Sequence, residues 1–208
     1  MATTTPNYGW AVPTSTDLVK DGATAIETLG DAIDASMNTA LGTKKAGMVL
    51  LNTTSFSAVS SVSINDVFTS TYKNYSIVVN LTTPAAGTPI IRFRLRAAGT
   101  DQSGANYYSV HEVIPNSGAA TLIQEISQTS GRFGVLSSTA PSAFRIDIFE
   151  PQVNQRTNWT FQYVNNNLAE ISQGGGNYRA TYQADGFTLF PATSTFDAGT
   201  IQTYGWNQ

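Results

Sequence analysis

The chain has 208 residues, enough for one substantial domain plus an appended segment, with 41 % hydrophobic and only 12 % charged residues. It has no cysteine, which excludes disulfides, thiolate zinc sites and cysteine nucleophiles. A net charge of −3 without a basic cluster argues against binding nucleic acid by phosphate neutralisation, and no apolar run approaches the ~20 residues of a membrane-spanning helix.

Residues 1–14 place Pro6, Gly9 and Pro13 around Tyr8, Trp10 and Val12. Proline fixes φ and removes a donor, so an extended peptide is predicted rather than a helix. An aromatic pair on such a peptide suits a groove in a partner, or a strap over the chain's own domain. No basic segment followed by an apolar one marks a secretory signal at the N-terminus.

A helix is predicted over residues 15–41, capped by Ser15 or Thr16, with Asp17 in its first turn. Val19, Ile26, Ile33 and Ala40 recur every seven residues, and Leu29 takes the second seam position. Gly22 and Ser36 occupy the equivalent positions on either side, so the seam is short and partly small. Short helices need packing to persist. The pattern predicts a short parallel bundle, three-stranded rather than two, with a lone helix lying on its own sheet as the alternative. Residues 42–47 read as a hinge.

From residue 48 to residue 208 the hydrophobic period changes to two. Strands are predicted at Met48–Asn52, Ser57–Val67, Tyr75–Thr82, Pro89–Ala97, Tyr107–Ile114, Ala120–Ser127, Phe133–Leu136, Phe144–Phe149, Trp159–Val164, Tyr178–Tyr182, Phe187–Phe190 and Thr200–Trp206. Short strands at even spacing, bounded by Gly, Pro, Asn and Ser, predict a mainly β protein whose head is an antiparallel, jelly-roll-like β-sandwich. Arg92, Arg94 and Arg96 share one strand face, and pairing with acids such as Asp147 or Glu150 on neighbouring strands is expected. In the last strand Ile201 points away from Tyr204 and Trp206, which predicts a bulge or coverage of both faces, as at a subunit interface or against the N-terminal helix. The tripeptide Tyr-Gly-Trp occurs both at Tyr8–Trp10 and at Tyr204–Trp206.

No catalytic constellation assembles. His111 is the sole histidine, no nucleophile elbow surrounds a serine, and no phosphate loop, dinucleotide fingerprint or metal motif is present. Asp147 and Glu150 lie three apart on an alternating strand, so they diverge rather than pair as a glycosidase dyad would. No enzyme, cofactor or metal is expected. Recognition is the expected chemistry, because aromatics and amides bind sugars by stacking and multiple hydrogen bonds. Candidate contacts are Tyr108 and His111 in one stretch, and Asn166, Asn177 and Tyr178 in the Gly-rich stretch NNNLAEISQGGGNY, read as a surface loop. A turn without function is the alternative. Tyr107 and Tyr108 are adjacent, so only one of them can face outward.

The run TTTPNYGWAVPTSTDLVKDGATAIETLGDAIDASM resembles the N-terminus shared by many tail-fibre-like and minor tail proteins of tailed bacteriophages. GFTLFPATSTFDAGTIQTYGW, NYSIVVNL and IRFRLRAAGTDQSGANYYS are similar, more loosely, to the β domains of such proteins. The resemblance implies a trimeric virion structural protein. Pro6, Asn7, Tyr8, Gly9, Trp10 and Pro13 would dock on the particle, among tail, baseplate or capsid proteins. Val19, Ile26, Leu29 and Ile33 would form the trimer stem, with Tyr204 and Trp206 at the subunit interface. The expected role is host-surface glycan recognition by a β head on a virion protein made in the host cytoplasm. A capsid decoration protein or head fibre is the alternative, and a polysaccharide-acting enzyme a remote one.

Overall fold

The computed structural model describes residues 3–16, 18–41, 47–84, 87–136, 140–165 and 170–207. Asp17, most of the predicted hinge and Asn166 lie outside these residues. The chain forms two units, Met1–Gly47 and Met48–Gln208.

In the first unit the proline-rich segment is a small hairpin rather than a free extended peptide. Strand β1 (Thr3–Thr4) pairs antiparallel with β2 (Ala11–Val12). Gly9 turns the chain at φ +66°, a conformation that glycine adopts without a side-chain clash. The Thr5 carbonyl accepts from Gly9 N–H at 3.0 Å, and the Trp10 carbonyl accepts from Thr5 N–H at 2.9 Å. Tyr8 stacks on Trp10, with ring centroids 5.0 Å apart.

The helix starts later than the sequence predicts. Leu18 is extended and makes no side-chain cap, a 3-10 turn covers Val19–Asp21, and α1 runs Gly22–Leu41. Trp10 Nε1 donates to Ser36 Oγ at 2.9 Å, tying the hairpin to α1. Gly22, Ala25, Leu29, Ala32, Ile33 and Ser36 form a half-buried stripe, while Val19, Ile26 and Met37 stay open to solvent.

The second unit is a β-sandwich of two antiparallel sheets. The large sheet runs β3 (Met48–Val59), β15 (Phe196–Trp206), β5 (Asn74–Pro84), β11 (Ser142–Phe149), β12 (Gln155–Asn165), β13 (Glu170–Tyr182), β8 (Tyr107–Pro115), β9 (Thr121–Gln128). The small sheet runs β10 (Gly131–Val135), β6 (Ile90–Ala97), β14 (Gly186–Pro191), β4 (Val62–Ile64), with β7 (Thr100–Asp101) beside β6. One face of each strand supplies the core, as alternation requires. Ile77, Val79, Phe144, Ile146, Ile148, Trp159, Phe161 and Ile201 of the large sheet meet Ile91, Phe93, Leu95, Phe133, Phe187 and Leu189 of the small one. Phe93 stacks on Phe133 and receives Trp159 edge-on, both with centroids 4.8 Å apart. Each fully buried ring of this size contributes on the order of 2–3 kcal/mol of transfer free energy.

Three features differ from the sequence expectation. The first two predicted strands overlap one long strand, β3, which ends where Ala58 takes φ +52° and the chain crosses to β4 in the other sheet. The arginine ladder is paired as expected, but by other acids: Arg92 forks onto Glu125 at 3.0 Å, and Arg94 and Arg96 meet Asp101. Asp147 belongs to the large sheet, and Glu150 accepts from Gln155 Nε2 at 2.8 Å. Finally, the glycine run is strand, not loop. Gly174–Gly176 lie in the middle of β13, between β12 and β8.

That last difference has a packing cause. A Cβ on Gly174 would fall 2.4 Å from His111 Cβ, and one on Gly176 would fall 2.2 Å from the Tyr108 carbonyl and 2.6 Å from the Trp159 ring. Glycine lets the strands and the core rings approach this closely.

Candidate functional site

The residues of the large sheet that face away from the core form ordered rows, because each antiparallel pair places its partners side by side. One row reads Glu112, Gln173, Gln162, Arg145 across β8, β13, β12 and β11. The next reads Val110, Gly175, Thr160, Asp147 on the same strands. Gly175 and small Thr160 leave the second row low, and the first row stands beside it as a polar ladder. The result is a trough of about 640 Å³, reaching Leu122 on β9 at one end and Arg145 with Asp147 at the other. Five strands at the usual ~4.8 Å separation make it roughly 19 Å across.

The β11 end is a fixed network. Asp147 Oδ1 accepts from Arg145 Nε at 3.0 Å and from Ser76 Oγ, and forms an ion pair with Arg145 Nη2 at 3.0 Å. Ser76 Oγ in turn accepts from Trp206 Nε1 at 3.0 Å, and the Arg145 guanidinium lies 5.9 Å from the Trp206 ring centre. Arg145 is 43 % exposed, so the pair contributes under about 1 kcal/mol. Its consequence is geometric: it orients Trp206, which is 41 % exposed, beside the end of the trough. The side chains of Gln162, Gln173 and Glu112 make no hydrogen bond to another described residue, so their polar groups line the trough unengaged.

Two of the predicted contact residues lie on this face. Tyr108 and Asn177 are register partners. The Tyr108 hydroxyl is 2.6 Å from Ser127 Oγ, and its ring is capped by the Arg179 guanidinium at 3.4 Å, while Arg179 Nε donates to Asn177 Oδ1 at 3.2 Å. Tyr107, its neighbour, points inward as alternation requires. His111 and Tyr178 are not surface contacts. They are 2 % and 3 % exposed because both alternate to the core side, where His111 meets Phe161 and Tyr178 meets Tyr107. Burial, with the Arg132 cation adding to it and Glu125 opposing, lowers the His111 pKa to about 4.

Tyr204 and Trp206 share the outer face of the large sheet, and Ile201 is buried on the inner one. The register with β3 shifts between Thr203 and Tyr204, but the extra residue is Leu51 of β3; β15 pairs evenly with β5 there and keeps its alternation, so the last strand itself carries no bulge at this point. The two Tyr-Gly-Trp tripeptides differ in structure. Gly9 makes a turn, whereas a Cβ on Gly205 would strike the Tyr72 ring at 2.5 Å. In the first unit Pro13 lines a shallow hollow with Ala11, Asp21, Thr24, Ala25 and Thr28, and Tyr8 lines another with Ala35, Ser36, Thr39 and Ala40.

Sequence reasoning missed Glu112, Thr160, Gln162, Arg145 and Asp147 as members of one site. The signal was present in the alternation of FRIDIF and NWTFQYVN, whose outward positions are polar. Which strands lie side by side was not legible, and that order is what brings the rows together. Among the described residues no cluster of three or more His, Cys, Asp or Glu is arranged to hold a metal ion.

No model of a known protein family matches this chain, and no curated protein matches it. Among solved structures, the chain is similar to the CBM2 module of the evolved Dit of Lactobacillus casei BL23 phage J-1. The TM-score is 0.32 and the identity 14 %, over 71 % of this chain and 69 % of that one.

Proposed function

We propose that this protein is a homotrimeric appendage of a tailed-phage virion, docked through its N-terminal hairpin, whose β head binds host-surface glycans in the trough of the large sheet. The observation that carries the reading is the ladder of unengaged side chains, Glu112, Gln173 and Gln162, lining the trough beside the row of small residues Gly175 and Thr160. Amides spaced by one strand each present donors and acceptors at a repeat close to that of an extended pyranose chain. The open trough and the exposed indole of Trp206 suit a polymer lying across the strands. Single-site affinity on so shallow a surface is weak, and three copies per appendage offset this by avidity.

The N-terminal segment supports the assembly part of the reading. Tyr8 is exposed, and the open flank of the helix at Val19, Ile26 and Met37 suits burial against sister helices.

A second reading, a decoration protein on the capsid, draws on a different observation. Ile114, Val164 and Ile171 are register partners, and all three are exposed beside the trough, forming an apolar strip that suits a protein neighbour.

Binding of isolated host envelope polysaccharide to the full chain separates the two readings. The double variant Gln162→Ala, Gln173→Ala keeps the fold, since both side chains are exposed, and should lower that binding on the order of tenfold or more. Unchanged polysaccharide binding in the variant, or none in the native protein, removes the glycan reading.

A further inference from the structure

We propose that the trough selects glycans bearing a free amino group, seated with the ammonium on Glu112. The proposal rests on the glycan-binding reading and deepens it by naming the ligand class. The trough carries two carboxylates, Glu112 and Asp147, against one guanidinium, Arg145. Their charges are not shared evenly. Asp147 is answered by Arg145 and by the Ser76 hydroxyl, whereas none of the ion pairs among the described residues includes Glu112.

Glu112 is half-buried between Val110 and Ile114 along β8 and faces Leu122 across the pair with β9. A carboxylate flanked by apolar side chains is poorly screened, so it attracts a cation more strongly than a fully solvated one does. The nearest polar neighbour in the row is the Gln173 amide, which can donate or accept and therefore sets no charge preference of its own.

The geometry thus gives the trough a sign. An ammonium on a sugar ring would sit on Glu112 while ring hydroxyls meet Gln173 and Gln162 farther along the ladder. A uronate or phosphate at the same place would meet an uncompensated negative charge. The remaining cation, Arg145, is already held by Asp147 at the far end.

Calorimetric titration of the full chain with a glucosamine oligomer and with the N-acetylated oligomer of the same length tests this, at low salt and at a pH where the amine is protonated. The free-amine oligomer should bind on the order of tenfold more tightly, the difference should shrink as salt is raised, and Glu112→Gln should abolish the difference between the two oligomers. Equal binding of the two oligomers, no binding of the free-amine oligomer, or a preference that survives in Glu112→Gln overturns the proposal. If host polysaccharide still binds and Gln162→Ala with Gln173→Ala still weakens it, glycan recognition stands without the amine preference. If polysaccharide binding is absent as well, both fall together.

Discussion

At His111 the fold holds a titratable ring whose two nitrogens have no hydrogen-bond partner among the described residues, with Phe161 edge-on at 5.7 Å. Its pKa falls from 6.5 to about 4, first because it is buried and then because Arg132 is near, with Glu125 opposing. Between those two values the unfolded chain takes up a proton that the folded chain refuses. The contribution is therefore fully present above the unfolded pKa and is lost as the pH drops through the window. The loss amounts to roughly 3 kcal/mol once the full shift is expressed. Urea unfolding on either side of that window should show native stability dropping with acidity more steeply than in His111→Leu, whose residual slope reports the carboxylates alone. Parallel slopes in the two proteins would mean that the ring is protonated in the folded state. The histidine also illustrates what a residue's type conceals. A lone histidine beside a tyrosine pair suits a recognition loop, but position parity on β8 places it with Tyr107 on the core side. For Tyr107 and Tyr108 the sequence showed only that one ring faces outward; the burial of Tyr107 makes Tyr108 that ring.

Among the elements, strands with strict alternation were legible within a residue or two, as at Ile90–Ala97 and Tyr107–Pro115, because a half-buried strand repeats every two residues. β13 was not, because three consecutive glycines carry no alternation and mimic a turn. Their cause lies in β12 and β8, which the local sequence does not mention. The helix was legible as a helix, but not what covers it. One flank is half-buried, on the side where Trp10 of the hairpin reaches Ser36, and the seam predicted from the heptad is left partly open. That division makes a clean test of the bundle. Val19 and Ile26 are 96 % and 66 % exposed, so aspartate at both positions costs the isolated chain little. In a bundle the same charges are buried without partners, at several kcal/mol. Val19→Asp with Ile26→Asp should therefore sediment as a monomer with an unchanged circular dichroism spectrum. A trimer that persists would transfer assembly to the β heads, where Tyr204 and Trp206 share one outer face.

For the whole molecule, the question is how many copies one particle carries, because the two readings of the outer face need different numbers. Glycan capture through a shallow trough depends on avidity within one appendage and needs only a few appendages at the site of attachment. An apolar strip such as Ile114, Val164 and Ile171 serves a shell best when every lattice position offers the same neighbour, since each contact is small and stability comes from repetition. Quantitative mass spectrometry of purified virions against the major capsid protein should give a handful of trimers per particle, with a copy number divisible by three. Deleting residues 1–14 should remove them from the particle while leaving polysaccharide binding by the free protein intact, because the trough lies wholly within the second unit. A copy number that scales with the capsid lattice, together with particles that lose heat resistance on the same deletion, would instead assign the apolar strip to shell contacts.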